Sequence, residues 1–147
     1  MRYLGLDLGT KTLGLALSDS LGIIASSYGT LRFENEDYDS LLPQIKKIVD
    51  EEKVDTIVLG LPRNMNNIIG ERAETILKFK EKLENYLNME VFLQDERLSS
   101  VEANNYLIAS DMSRKKRKQV VDAVAATIIL ETFMERRGNY ERRNNDI

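Results

Sequence analysis

Leu4, Leu6 and Leu8 alternate with Tyr3, Gly5, Asp7 and Gly9, the period-two signature of a β-strand. "GTK" supplies a turn, and Leu13, Leu15 and Leu17 then alternate with Gly14, Ala16 and Ser18 in a second strand. A third strand is predicted within Ile23–Arg32. The period then changes. Leu41, Leu42, Ile45, Ile48 and Val49 fall on one helical face, with Pro43 tolerable in the first turn. "TIVLG" (56–60) is a short apolar run of the kind expected for a strand covered on both faces. Helical spacing returns from Gly70 to Leu87 through Ala73, Ile76, Leu77, Leu83 and Leu87. "EVFLQDE" (90–96) reads as a fifth strand. Ser99 and Glu102 form a capping box that opens a helix to about Ile108. A final helix is predicted over Lys118–Met134, with Val121, Val124, Ala125 and Ile128 on its apolar face. The order β-β-β-α-β-α-β-α-α implies an α/β fold with a mixed sheet, an antiparallel meander extended by parallel strands through helical crossovers.

Asp7 is the residue that does not suit this pattern. It shares a strand face with Gly5 and Gly9, and the neighbouring strand adds Gly14, Ala16 and Ser18. The spacing predicts a shallow hollow beside a carboxylate, with nothing large from either strand to fill it. One reading is structural, with Asp7 capping the turn or pairing with Lys11, because a buried carboxylate needs a partner. Two further acids bear on the choice. Glu96 ends the fifth strand on the side that alternates with Gln94, and Asp122 lies near the start of the last helix, one turn before Ala125 and Ala126. Three acids beside small residues could hold a cation, and an all-oxygen donor set suits Mg²⁺ or Mn²⁺. Spacing alone does not make them converge.

Composition narrows the chemistry. The chain has 147 residues, 42% hydrophobic and 31% charged, as expected of a soluble globular domain. Met1-Arg2 leads directly into a strand pattern, unlike a signal peptide, and no apolar run is long enough to span a membrane. There is no cysteine, which excludes disulfides and thiolate chemistry and fits a cytoplasmic location. There is no histidine, so general acid–base or metal chemistry must run on carboxylates, Lys, Tyr or hydroxyls. The net charge is −3, but it is unevenly spread. Acids gather in "ENEDYD" (34–39), and cations in the run Arg114, Lys115, Lys116, Arg117 and Lys118.

Four stretches, "GLDLGTKTLGLALSD" (5–19), "VLGLPRNMNNIIGERAE" (58–74), "QDERLSSVEA" (94–103) and "SRKKRKQVVDAVAATIIL" (113–130), together resemble the YqgF/RuvX family. Its members are named as pre-16S rRNA nucleases or, formerly, as Holliday junction resolvases, and have an RNase H-like fold. The chain departs from the family pattern at Asn66–Ile69, where an Asp-Gly-Ser-like turn is usual, and at the serines of "DERLSS". With no internal repeat and no long linker the chain reads as one domain over 1–138, which the resemblance makes a nuclease domain, and the polar end reads as a flexible tail over 139–147. The resemblance implies that Asp7, Glu96 and Asp122 are catalytic and hold two Mg²⁺ or Mn²⁺ ions for phosphodiester hydrolysis. Asp95 is given a strand-end structural role.

The cationic run is read as a loop contacting substrate phosphates, with Lys11, Arg63 and Arg97 as single-residue candidates. The expected partner is structured RNA, or branched DNA, bound by a monomer or homodimer; no membrane partner is expected. RNA 5′-end maturation needs one active site, whereas junction resolution needs two on a symmetric dimer. Two other readings stand beside these. The acid–Gly-Thr–Lys hairpin also looks like the phosphate loop of sugar kinases and actin-like ATPases, but those need two such domains. The scaffold could also bind nucleic acid without cutting it.

Overall fold

The alternating leucines form one wall of a core, and they do so because both hairpin strands are in register. The computed structural model describes residues 1–62, 70–95 and 114–145, with side chains of the last segment described for 123–138. Strands β1 (Tyr3–Leu8), β2 (Thr12–Ser18) and β3 (Ala25–Arg32) form the antiparallel meander. A 3₁₀ turn at Tyr38–Ser40 leads into helix α1 (Leu41–Glu52). Strand β4 (Thr56–Leu61), helix α2 (Glu71–Leu87) and strand β5 (Val91–Asp95) follow, and helix α3 spans Arg114–Asn145. The five strands run in the order β3-β2-β1-β4-β5, with β1, β4 and β5 mutually parallel. This is the mixed sheet that the pattern predicts.

Each face of the sheet has its own cover. Leu4, Leu6, Leu8, Leu13 and Leu15 join Ile57 and Leu59 on one side, against Leu41, Ile45, Ile76, Phe79 and Leu83 of α1 and α2. Tyr3, Ala16 and Val58 face the other way, against Ala126, Ile129 and Leu130 of α3. Strands β1 and β4 are therefore buried along their full length. No helix among the described residues is long and apolar enough to cross a membrane.

Three expectations change in the structure. The last helix begins at Arg114 and its backbone continues to Asn145, beyond both predicted ends and across positions 139–145. The run Arg114–Lys118 is thus helical rather than a loop. Among the described side chains of α3 the buried ones are Ala123, Ala125, Ala126, Ile129 and Leu130, a stripe rotated from the predicted one, which leaves Val124 and Ile128 half-buried. The reason is steric. α3 lies on Gly5 and Ala16, and the side it turns to them is that of Leu130 and Ala126 rather than that of Val124 and Ile128. The helix expected from Ser99 to Ile108 lies outside the described residues.

Candidate active site

Asp7 is the penultimate residue of β1 and only 9% exposed. Its cross-strand neighbour in β2 is Gly14. Carrying the β1–β4 register one residue beyond Leu6–Leu59 sets Gly60 on its other side, and Gly60 in turn pairs with Gln94 of β5. The carboxylate therefore stands between two glycines near the ends where β1, β4 and β5 all finish. The hollow predicted on this face is not open. Helix α3 fills it so closely that a Cβ on Gly5 would come within 2.9 Å of Leu130 Cβ and 3.1 Å of the Ala126 carbonyl.

The approach has a direction. Phe133 meets the Tyr3 ring edge-on at 6.1 Å, while Leu130 and Ala126 lie over Gly5. Moving down the helix from Phe133 to Ala126 thus climbs β1 from Tyr3 to Gly5. Thr127, on a neighbouring face of the helix, sits 3.1 Å from Ser27 of β3.

The turn after Asp7 is stitched in place. The Gly9 N–H donates to the Thr12 carbonyl at 2.7 Å, Phe33 N–H to the Lys11 carbonyl at 3.0 Å and Glu36 N–H to the Thr10 carbonyl at 3.0 Å. Lys11 is exposed at this turn. The backbone bonds bring the acidic 34–37 segment alongside it, so that corner of the molecule carries both signs of charge.

Two residues that the sequence reading passed over sit near Asp7. The Arg72 guanidinium, at the start of α2, donates to the Leu8 carbonyl through Nη2 and reaches Tyr38 Oη through Nη1 at 3.5 Å. It ties α2 to the end of the strand carrying Asp7. Gln94 is a buried polar residue, 4% exposed, and its Oε1 accepts from Arg136 Nη1 at 2.9 Å. A polar residue inside a buried strand was a legible signal for Gln94. Arg72 had none, because in sequence it is one more cation in a helical first turn.

Asp95 closes β5 opposite Leu61 and is half-buried. Glu96, Arg63, Arg97 and the 66–69 stretch lie outside the described residues, as do the side chains of Asp122 and Arg114–Lys118. Among the described residues no three carboxylates form a cation-sized group. Of the expected triad, the structure places Asp7 in full and Asp122 by its position in α3.

Residues 1–136 match the family model described as "RuvX: Holliday junction resolvase". A relative from a Geobacillus species is 49% identical over 135 residues, covering 92% of this chain and 98% of its own. The chain belongs to the RuvX family. That RuvX relative is named "Putative pre-16S rRNA nuclease", and so is one from Clostridium botulinum strain Hall, 47% identical over 92% of this chain and 97% of its own. Two solved structures share the fold at low identity. RuvC of Thermus thermophilus in complex with a Holliday junction substrate aligns with a TM-score of 0.57 at 13% identity, over 94% of this chain and 96% of that one. The fowlpox virus resolvase in complex with Holliday junction DNA aligns at 0.54 and 13%, over 92% and 97%. The RuvX chain therefore has the RNase H-like fold expected of it.

Proposed function

We propose that this RuvX chain is a divalent-metal-dependent nuclease of the cytoplasm that cleaves structured nucleic acid, processing the 5′ end of pre-16S rRNA. The observation that carries the reading is the placement of Asp7. A carboxylate is buried between glycines at the C-terminal ends of three parallel strands, two residues along β1 from the Gly5 that α3 covers. Descending α3 from Phe133 climbs β1 from Tyr3 to Gly5, and the next step of each is Asp122 and Asp7. Position 122 is seven residues before buried Ile129 and four before buried Ala126, on the stripe that faces the sheet. Glu96 follows Asp95, the last residue of β5, directly in sequence.

This donor set fits Mg²⁺ or Mn²⁺. It is all carboxylate in a chain without histidine or cysteine, and hard cations prefer oxygen. The glycines on either side of Asp7 put no side chain of their own beside its carboxylate. Asp7, Glu96 and Asp122 would hold the ions, which when bound supply an activated water and neutralise charge on the leaving oxygen. The rest falls to the protein. Arg72 holds the end of β1, one residue beyond Asp7, against α2. Buried apolar side chains on both faces of β1 keep it rigid. Lys11, Arg63, Arg97 and the cations of Arg114–Lys118 bind substrate phosphates, which orients a strand without reading its bases.

The test is cleavage of precursor 16S rRNA and of a four-way DNA junction, side by side, with Mg²⁺ or with chelator. Pre-rRNA should be cut in a Mg²⁺-dependent way. Asp7→Asn and Asp122→Asn should each lower the rate by at least about 100-fold, because losing even an outer-shell partner of a metal costs about 10–100-fold. Both variants should keep the wild-type circular dichroism spectrum. Wild-type cleavage by Asp122→Asn sinks the assignment. The description of the family favours a second reading, resolution of four-way junctions, which requires two sites on a symmetric dimer. Preferential junction cleavage by a dimer would establish it.

A further inference from the structure

The loop joining β2 to β3, at the far end of the sheet from Asp7, holds apolar side chains out into solvent. Leu21, Ile23 and Ile24 are 73%, 69% and 64% exposed. They are not exposed because the loop is slack. The Asp19 carboxylate accepts from the Ile23 N–H at 2.7 Å and the Ile24 N–H at 2.9 Å. Asp19 N–H donates to the Ile24 carbonyl and Gly22 N–H to the Asp19 carbonyl, while the N-terminal ammonium bonds the Ser20 carbonyl at 2.8 Å. Gly22, at φ 69°, packs so tightly on Tyr3 that a Cβ there would come within 2.7 Å of the ring. A loop pinned at this many points cannot fold its isoleucines inward. An apolar surface displayed by a rigid frame is preorganised for association, since little conformational entropy remains to be lost.

Beside the loop runs a groove of about 430 Å³, lined by Ile23, Ile24 and Ala25 on one side and by Met134 and Gly138 of α3 on the other. Glu131 and Glu135 rim it. They are exposed, stand one helical turn apart, and have no cationic partner among the described residues. Like charges four residues apart destabilise a helix. Gly138 adds a second local cost, about 1 kcal/mol against alanine in a helix interior. Its missing side chain would meet nothing within 4 Å among the described residues. Both features become favourable if something cationic and apolar lies in the groove.

We propose that this groove docks a polypeptide segment of another protein, one carrying apolar side chains flanked by lysine or arginine. The apolar residues would sit on Ile23, Ile24 and Met134, and the cations would pair with Glu131 and Glu135. The charge argues against the other occupants. Nucleic acid would bring phosphates to the two glutamates, and two copies of this chain face to face would bring four glutamates to one interface. The inference does not depend on the nuclease reading.

The test uses the full chain, labelled with nitrogen-15, and two short amphipathic peptides of equal length, one of leucine and lysine and one of leucine and glutamate. The Leu/Lys peptide should bind and move amide signals at 22–25 and 131–138. Ile23→Ser with Ile24→Ser should weaken it at least about tenfold, the scale of losing an apolar anchor. Glu131→Lys with Glu135→Lys should invert the preference towards the Leu/Glu peptide. Gly138→Ala should raise thermal stability yet weaken binding. Nucleic-acid cleavage should be unchanged in all of these variants, whatever its substrate proves to be. Equal affinity for the two peptides, or signal changes elsewhere on the molecule, overturns the proposal. So does a concentration-dependent dimer in sedimentation that Ile23→Ser with Ile24→Ser abolishes, because the groove would then belong to a second copy.

Discussion

At the scale of single residues, Gly5 decides how close α3 can lie to the sheet. Its backbone is ordinary strand; what it supplies is the absence of a side chain. The 2.9 Å approach to Leu130 Cβ and the 3.1 Å approach to the Ala126 carbonyl leave no room for one, and a backbone carbonyl cannot rotate away. Gly5→Ala should therefore destabilise the protein by about 1–3 kcal/mol, the usual cost of overpacking. A chain of this size loses roughly 2–4 °C in Tm for each kcal/mol. Thermal unfolding followed by circular dichroism measures the effect. An unchanged Tm would mean that the helix can shift without cost. On the proposed site, which brings Asp122 to Asp7, lifting α3 separates the two acids, so cleavage should fall further than Tm alone would explain.

At the scale of elements, α2 and β5 are locked by one carboxylate. Glu84 accepts from the Val91 N–H at 3.0 Å, where β5 begins, and pairs with Lys80 at 2.9 Å. The Val91 N–H first, and Lys80 after it, hold the Glu84 carboxyl below the ordinary glutamate value of 4.5. A group whose folded value is depressed stabilises the fold at pH above its unfolded value, and that contribution disappears as pH falls through the folded one. The stability difference between wild type and Glu84→Gln should therefore be largest near neutral pH and shrink below 4.5. Urea unfolding across that range checks it, and a difference that grows on acidification contradicts it. Because Glu84 is a quarter exposed, solvent screening keeps the effect small.

At the scale of the whole molecule, the net charge of −3 hides a polarity that matters for a phosphate-bearing partner. Cations concentrate in the first turns of α3, and acids in 34–39 and on the Glu131–Glu135 rim. Helical periodicity separates the cations further. Lys115 and Lys118, seven and four positions before Asp122, share its side of α3, whereas Lys116 and Arg117 fall on the opposite side. Lys115→Gln with Lys118→Gln should weaken substrate binding and flatten the salt dependence by about one unit of log–log slope for each phosphate that is no longer neutralised. Lys116→Gln with Arg117→Gln should do less. Filter binding at several salt concentrations separates the pairs; equal effects would mean that the run acts as undirected charge.

Much of the fold was legible because each element repeats its burial locally. Period-two leucines needed a wall on one side, and the apolar β4 needed cover on both, so the mixed sheet followed from spacing and connection rules. The rotation of α3 was not legible. Valine and isoleucine outweigh alanine in any periodicity, yet Ala126 and Leu130 are what meet Gly5 where the helix lies on the sheet. For the same reason Asp7 could be singled out as a polar residue on a face of small neighbours, but whether that face was open was not written in β1 or β2. It depended on a helix more than a hundred residues away. Sequence alone determined the strands, the mixed sheet and the family; tertiary structure decided what covers the glycine face of β1, because contact across the sheet depends on side-chain size at both surfaces together.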